Sequence, residues 1–249
     1  MRYVFSLEKT IFMKKNRLEM LYRRPLKPAE ETNKELPLKF ILDRPLEFYP
    51  EEPSSWQFDM VEIGPGRGDF LFHLAQNNPD KKILALELGS LRFKKLKKRL
   101  KNRNITNVTL VFGDARTSFY KYLKTHDINK CFVLFPDPWP RNRHAHNRLL
   151  QKDFCKIITD KLAVNGEFVL ATDVKDYAYW AYENFKEMLC YDLAPGCSDF
   201  TKPLDELIPT FFKEKWESMD RDFYYVKLIK KKDFIVLNRP DHQGDSSNQ

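Results

Sequence analysis

Residues 58–79 read FDMVEIGPGRGDFLFHLAQNNP. A short run from Phe58 to Ile63, apolar but for Asp59 and Glu62, meets three closely spaced glycines, Gly64, Gly66 and Gly68, and an amphipathic stretch then runs to Pro79. A short apolar run bounded by turn formers predicts a buried strand, and the stretch after it predicts a helix ended by proline. Strand, glycine turn and helix together form the opening unit of a parallel sheet. The spacing is GxGxG, one residue short of the GxGxxG of a dinucleotide site, and the Gly-Lys-Ser/Thr of a phosphate-binding loop is absent. The turn alone does not name a ligand, because glycines also serve plain tight turns.

Outward from this unit the same texture repeats. Strands are predicted at KKILALELG (81–89), VTLVFGDA (108–115), KCFVLFPDP (130–138) and EFVLATD (167–173). Helices are predicted at SLRFKKLKKRLKNRN (90–104), SFYKYLKTH (118–126), NRLLQKDFCKIITDKLAVNG (147–166, stopped by Gly166) and KDYAYWAYENFKEMLC (175–190). A late strand, RDFYYVKLIKK (221–231), closes the series. Such alternation predicts an α/β fold with a doubly wound, mostly parallel sheet. Residues 56–237 are read as this domain, 1–55 as a basic N-terminal extension and 238–249 as a flexible tail. In the extension Lys14, Lys15, Arg17, Arg23, Arg24 and Lys27 face one acid, Glu19.

The 249 residues are 42% apolar and 14% aromatic, a globular composition. Forty-three Lys and Arg against thirty-five Asp and Glu leave a net charge of +8, which favours a polyanionic partner. The N-terminal apolar run is broken by Glu8 and Lys9, against a signal peptide, and no apolar stretch reaches transmembrane length. Cys131, Cys155, Cys190 and Cys197 form no CxxC pair and read as reduced thiols of a cytoplasmic protein. His144 and His146 lack Cys or carboxylate companions, so no metal site is expected.

In an open parallel sheet, ligands bind beyond the carboxyl ends of the strands. Glu87 ends the second strand at the distance from the glycines where nucleotide folds place an acid for ribose hydroxyls. Asp114 ends the third and offers another acceptor, although a strand-end acid is also a common helix cap. This constellation resembles the class I S-adenosylmethionine-dependent methyltransferases. The resemblance implies S-adenosylmethionine as cofactor. It places Gly64, Gly66 and Gly68 beneath the methionine and ribose, Glu87 at the ribose, Asp114 at the adenine end and Glu62 in the same pocket.

After the fourth strand comes FPDPWPRNRHAHNR, Phe135 to Arg148. It resembles the signature of the bacterial tRNA (guanine-N7)-methyltransferases, PDPW followed by a basic, His-containing run. It is not the adjacent-proline tetrapeptide of exocyclic-amine methyltransferases. The resemblance spans roughly Asp59 to Lys230 and implies a tRNA substrate methylated at guanine N7 in the variable loop. It makes Asp137 the catalytic carboxylate, also at the cofactor, with Trp139 as a stacking face. Arg141, Arg143 and Arg148 would then reach phosphates or a guanine edge. It places Asp173, in a Thr-Asp pair, and Thr210 at the substrate. Lys213 stands where the family usually has Glu, with Glu214 one residue on. Without the resemblance, the prolines could merely fix a loop and Trp139 could be core.

The helix at 90–103 carries Arg92, Lys94, Lys95, Lys97, Lys98, Arg99, Lys101 and Arg103 without an acid, which favours phosphate contact over a merely solvated face. Two other readings stand beside the methyltransferase: a nicotinamide-dependent oxidoreductase, opposed by the short glycine spacing, and a non-enzymatic RNA-binding protein on the same fold.

Overall fold

A computed structural model describes residues 46–208, 213, 217–218 and 221–233. Its elements are β1 (Glu47–Tyr49), β2 (Phe58–Ile63), α1 (Asp69–Asn77), β3 (Ile83–Glu87), α2 (Ser90–Asn102), β4 (Val108–Phe112), α3 (Ala115–Lys121) and β5 (Ile128–Leu134). A 3₁₀ turn (Asn142–Asn147), α4 (Lys152–Lys161), β6 (Leu162–Thr172), α5 (Lys175–Lys186), β7 (Tyr191–Leu193) and β8 (Tyr224–Lys230) follow. They build one eight-stranded sheet in the order β1-β4-β3-β2-β5-β6-β8-β7. The strands from β4 to β6 run parallel; β1 and β8 run antiparallel to them, and β7 pairs antiparallel with β8 at the far edge.

Both faces of the central strands are covered. Along β3, Leu84 and Leu86 join one core cluster with Phe119, Phe154, Ile158, Tyr177 and Phe185 of α3, α4 and α5. Ile83 and Ala85 join the other with Phe70, Leu71, Phe93, Leu96 and Leu100 of α1 and α2. The period of two sends alternate residues to opposite faces, so a strand covered on both sides is a continuous apolar run. The chain winds from β2 outward to β4, then restarts beside β2 with β5. That reversal opens a crevice at the carboxyl ends of β2 and β5, where the glycine loop and the PDPW stretch lie.

Four local expectations need correction. Residues 47–49, assigned to the extension, pair with β4, so the folded sheet begins earlier than residue 56. The helix expected over 147–166 is only α4. The chain enters β6 at Leu162, and the register shifts between the Ile128/Leu162 and Lys130/Glu167 pairs. Gly166 is therefore a bulge glycine inside a strand: a Cβ there would lie 2.8 Å from the Ala163 oxygen and 3.0 Å from that of Asn129. The helix expected at 118–126 starts at Ala115, and the one expected to reach residue 190 ends at Lys186, leaving Tyr191–Leu193 as an unforeseen edge strand. The four cysteines are free and buried.

Candidate active site

The glycine loop fixes the crevice floor. Gly64, Gly66 and Gly68 have φ of 74, 58 and 82°, the left-handed region that favours glycine. A Cβ on Gly64 would meet nothing within 4 Å, so the space above it is open. One on Gly68 would fall 2.5 Å from Leu96 Cδ2 and 2.7 Å from Phe72, so that glycine lets α1 and α2 close against the turn. The Gly66 N–H donates to Glu87 Oε2 at 3.2 Å and the Gly89 N–H to Oε1 at 2.7 Å. Glu87 is thus a buried strand-end acid steered by backbone from two loops.

Glu62, on β2 beside it, is also buried, and its Oε2 has no hydrogen-bond partner among the described residues. Burial, then the nearby charges of Asp69 and Glu87, push its carboxyl up to about 8. Glu87 is raised as well, by burial, although the Gly89 N–H, Arg92 and the Gly66 N–H pull the other way. Two interacting carboxyls, one oxygen unsatisfied, line a space left open above glycine. Such a site fits a ligand that brings hydroxyl donors and positive charge. S-adenosylmethionine, with a ribose, an ammonium group and a sulfonium, has that chemistry.

Asp114 lies at the end of β4 and is 8% exposed. It caps α3 by accepting from the Arg116 backbone N–H at 2.8 Å. It also accepts from Arg116 Nε at 3.0 Å and Nη2 at 2.7 Å, so both oxygens are already engaged. It sits beside Glu87, whose backbone oxygen accepts from the Gly113 N–H at 3.1 Å. The cap and the strand-end position coexist.

The PDPW stretch leaves β5 through Phe135 (φ 52°) and turns again at Trp139 (φ 43°), both left-handed without being glycine. Such strain persists only where surroundings over-determine it. The Phe135 N–H donates to the Ala171 oxygen at 2.7 Å. Asp137 is exposed and makes no hydrogen bond or ion pair among the described residues. Trp139 is 37% exposed and stacks on His144, with ring centroids 5.8 Å apart at 27°. Arg141 and Arg143 are exposed.

Arg148 differs from them, and the expectation of a phosphate contact fails for it. Its side chain is fully buried. Nε donates to the Pro138 oxygen at 3.2 Å and Nη2 to the Trp139 oxygen at 3.4 Å, while the guanidinium lies 5.3 Å from the Trp180 ring centre. Burial lowers its pKa. Arg148 is the inner pin of the PDPW loop. Tyr177 of α5, also fully buried, accepts from the Leu150 N–H at 3.4 Å and feels the charges of both Arg148 and Asp137. Neither role was legible in the sequence, where Arg148 is one basic residue in a basic run.

At the end of β6, the Asp173 carboxylate is largely buried and ion-paired with Arg221, in the lead-in to β8. In the sequence Arg221 stands only at the start of the last predicted strand, and no local signal marks it as a partner. Lys213 forms a 3.6 Å ion pair with Glu217 and lines a small apolar cavity with Leu134, Phe135 and Tyr225, at the carboxyl end of β5, the strand that Asp137 follows. Thr210 and Glu214 lie outside the described residues.

A family model described as "Putative methyltransferase" matches residues 57–226. A tRNA (guanine-N(7)-)-methyltransferase of Chlamydia caviae is 33% identical over 68% of this chain and 75% of its own length. One of Aquifex aeolicus is 31% identical over 73% of this chain, which spans 59% of that relative. The 16S rRNA methyltransferase KamB shares the fold at TM-score 0.51 and 15% identity, over 71% of this chain and 90% of its own. The [4+2]-cyclase SpnF does so at 0.50 and 10%, over 72% and 76%. Two such different reactions on one architecture show why the chemistry must be argued from the site. Among the described residues no helix is long and apolar enough to cross a membrane.

Proposed function

Since the chain belongs to the family of bacterial tRNA (guanine-N7)-methyltransferases, we propose that it transfers the methyl group of S-adenosylmethionine to N7 of a tRNA guanosine, in the variable loop, in the cytoplasm. The observation that carries this reading is the pair of buried acids Glu62 and Glu87 beneath open space over Gly64. When bound, the cofactor supplies an electrophilic methyl group on positively charged sulfur. Glu87 accepts from the ribose hydroxyls, the unpartnered Glu62 oxygen accepts from the ammonium group, and Asp114 borders the adenine end. The loop of Gly64, Gly66 and Gly68 lets the backbone approach closely.

Guanine N7 bears a lone pair and no proton, so no side chain has to act as a base. The chain must hold N7 in line with the methyl group, and positioning of this kind is the larger share of such catalysis. Asp137, a carboxylate without an internal partner among the described residues, stabilises the purine as it gains positive charge and accepts from its N1–H edge. Arg141, Asp173, Thr210 and Lys213 form the substrate side, with Arg221 keeping Asp173 compensated.

The oxidoreductase reading brings a pyrophosphate dianion toward two carboxyls that already repel each other. The reading as a bare RNA-binding scaffold leaves the cost of burying those acids without a return. The test is nucleoside mass spectrometry of tRNA incubated with the protein and labelled cofactor, with calorimetry of S-adenosylmethionine against NAD. 7-Methylguanosine and binding of S-adenosylmethionine alone are expected; NAD binding or an unmodified tRNA would overturn the assignment.

A further inference from the structure

Outside the acidic pocket, and sharing Gly66 with it, lies a groove of about 620 Å³ lined by Gly66, Arg67, Arg92, Lys95, Leu96 and Arg99. Its walls carry four cations and no acid. The sequence presents the eight cations of α2 and its C-terminal flank as one set; packing divides them. Phe93, Leu96 and Leu100 are buried and set the helix's inner face. Arg92, Lys95 and Arg99, at i, i+3 and i+7, form the stripe that faces the groove. Lys94, Lys97 and Lys101 form the opposite flank, where Lys97 reaches Glu47 at 4.0 Å and lies 5.4 Å from the Tyr49 ring centre. Arg99 and Arg103 lie over the Phe72 ring, and Arg99 pairs with Asp69 at 3.7 Å. Lys95 and Lys98 are exposed and make no hydrogen bond or ion pair among the described residues.

Two physical arguments select the occupant. Like charges three and four residues apart destabilise a helix by a few tenths of a kcal/mol per pair, and α2 carries many such pairs with no acid of its own to relieve them. A partner of opposite charge offsets that cost. The cofactor cannot be this partner, because its sulfonium and ammonium outweigh its single carboxylate. We propose that the groove-side stripe of α2 is a track for the phosphodiester backbone of the substrate tRNA, which passes over the outer side of the glycine loop. β2 and β5 are neighbours in the sheet, with Ile63 opposite Val133, so the glycine loop that borders the groove and the PDPW loop leave adjacent strand ends. The 13 residues of α2 offer about 20 Å of track.

The inference rests on tRNA as the substrate, and a pair of charge-matched variants tests it without depending on turnover. Lys95→Gln/Lys98→Gln removes two charges on the groove side and crest; Lys94→Gln/Lys101→Gln removes two from the far flank. All four side chains are exposed, so both proteins fold. Filter binding of a tRNA transcript across a salt series reads the outcome. The groove-side pair is expected to flatten the slope of log affinity against log salt by about 1.5, the release of counterions from two phosphates. The far-flank pair should change it by less than half as much, with calorimetric affinity for S-adenosylmethionine unchanged in both. Equal changes in the two variants, or no change in either, overturns the track. NAD or inorganic pyrophosphate binding that disappears with Lys95 and Lys98 also overturns it. If the unmodified protein binds tRNA with this groove-dependent slope yet forms no 7-methylguanosine, the track stands and the assigned reaction falls.

Discussion

Two regions meet at Gly66 and handle charge in opposite ways. On one side of the loop, Glu62 and Glu87 are buried, hold their acidic groups in low dielectric and are raised in pKa. On the other, Lys95 and Lys98 stand in water. Buried charges are expensive, so an acid retained there points to one small ligand of matching charge. Exposed charges are cheap singly and screened by salt, so they act as a field on a long polyanion. The same loop thus separates a pocket that selects by desolvation from a surface that attracts by number.

The contrast is sharpest at Glu62. Its folded pKa, about 8, lies above its unfolded value, so between the two the folded state holds the extra proton and loses stability as pH rises. Glu62→Gln should therefore gain stability relative to the unmodified protein as pH goes from 5 to 8. The slope is at most about 1.4 kcal/mol per pH unit, for a total on the order of 4 kcal/mol. Denaturant melts of both proteins across this range check it; parallel curves would show that the pocket hydrates its acids much as the groove hydrates its cations.

Asp137 comes next. Asp137→Asn keeps shape and removes charge, and should slow methyl transfer by about 2–4 kcal/mol of barrier while tRNA affinity falls less than turnover and its salt slope stays intact. Single-turnover methylation at saturating substrates decides it, and a rate within twofold of the unmodified enzyme would reduce Asp137 to a loop acid. Glu87→Ala should then cost about 1.5–3 kcal/mol of cofactor affinity, tenfold or more, again without moving tRNA binding. Calorimetry that finds the affinity unchanged would remove Glu87 from the pocket. The smallest effect belongs to Arg148→Lys, which keeps the charge but loses the fork that holds two carbonyls of the PDPW loop. Turnover should fall by about tenfold, roughly 1.4 kcal/mol, with cofactor affinity unchanged. Equal losses of turnover and affinity would make the residue a general packing element.

Several features were legible because they are local. The alternation of apolar runs with amphipathic stretches, the glycines after β2, acids at strand ends and the PDPW signature all occupy a few consecutive residues. Each obeys a short-range rule of backbone geometry or periodicity. The boundary of α4 was not legible, because Gly166 has the same composition signal whether it ends a helix or relieves a clash with Asn129 across a bulge.

By itself, then, the amino-acid sequence determined the doubly wound sheet, the place of the crevice and the family of its chemistry. Tertiary structure alone decided which of several identical side chains do which work. Arg141, Arg143 and Arg148 are equivalent basic residues in the sequence. Only the 3₁₀ turn, folding the chain back onto Trp180 and Tyr177, buries the last of them under the loop it holds. The cations of α2 are likewise one set until β1 engages one flank and the glycine loop faces the other. Burial and electrostatic environment arise from contacts between distant segments, and a charged residue's role depends on its surroundings rather than on its type.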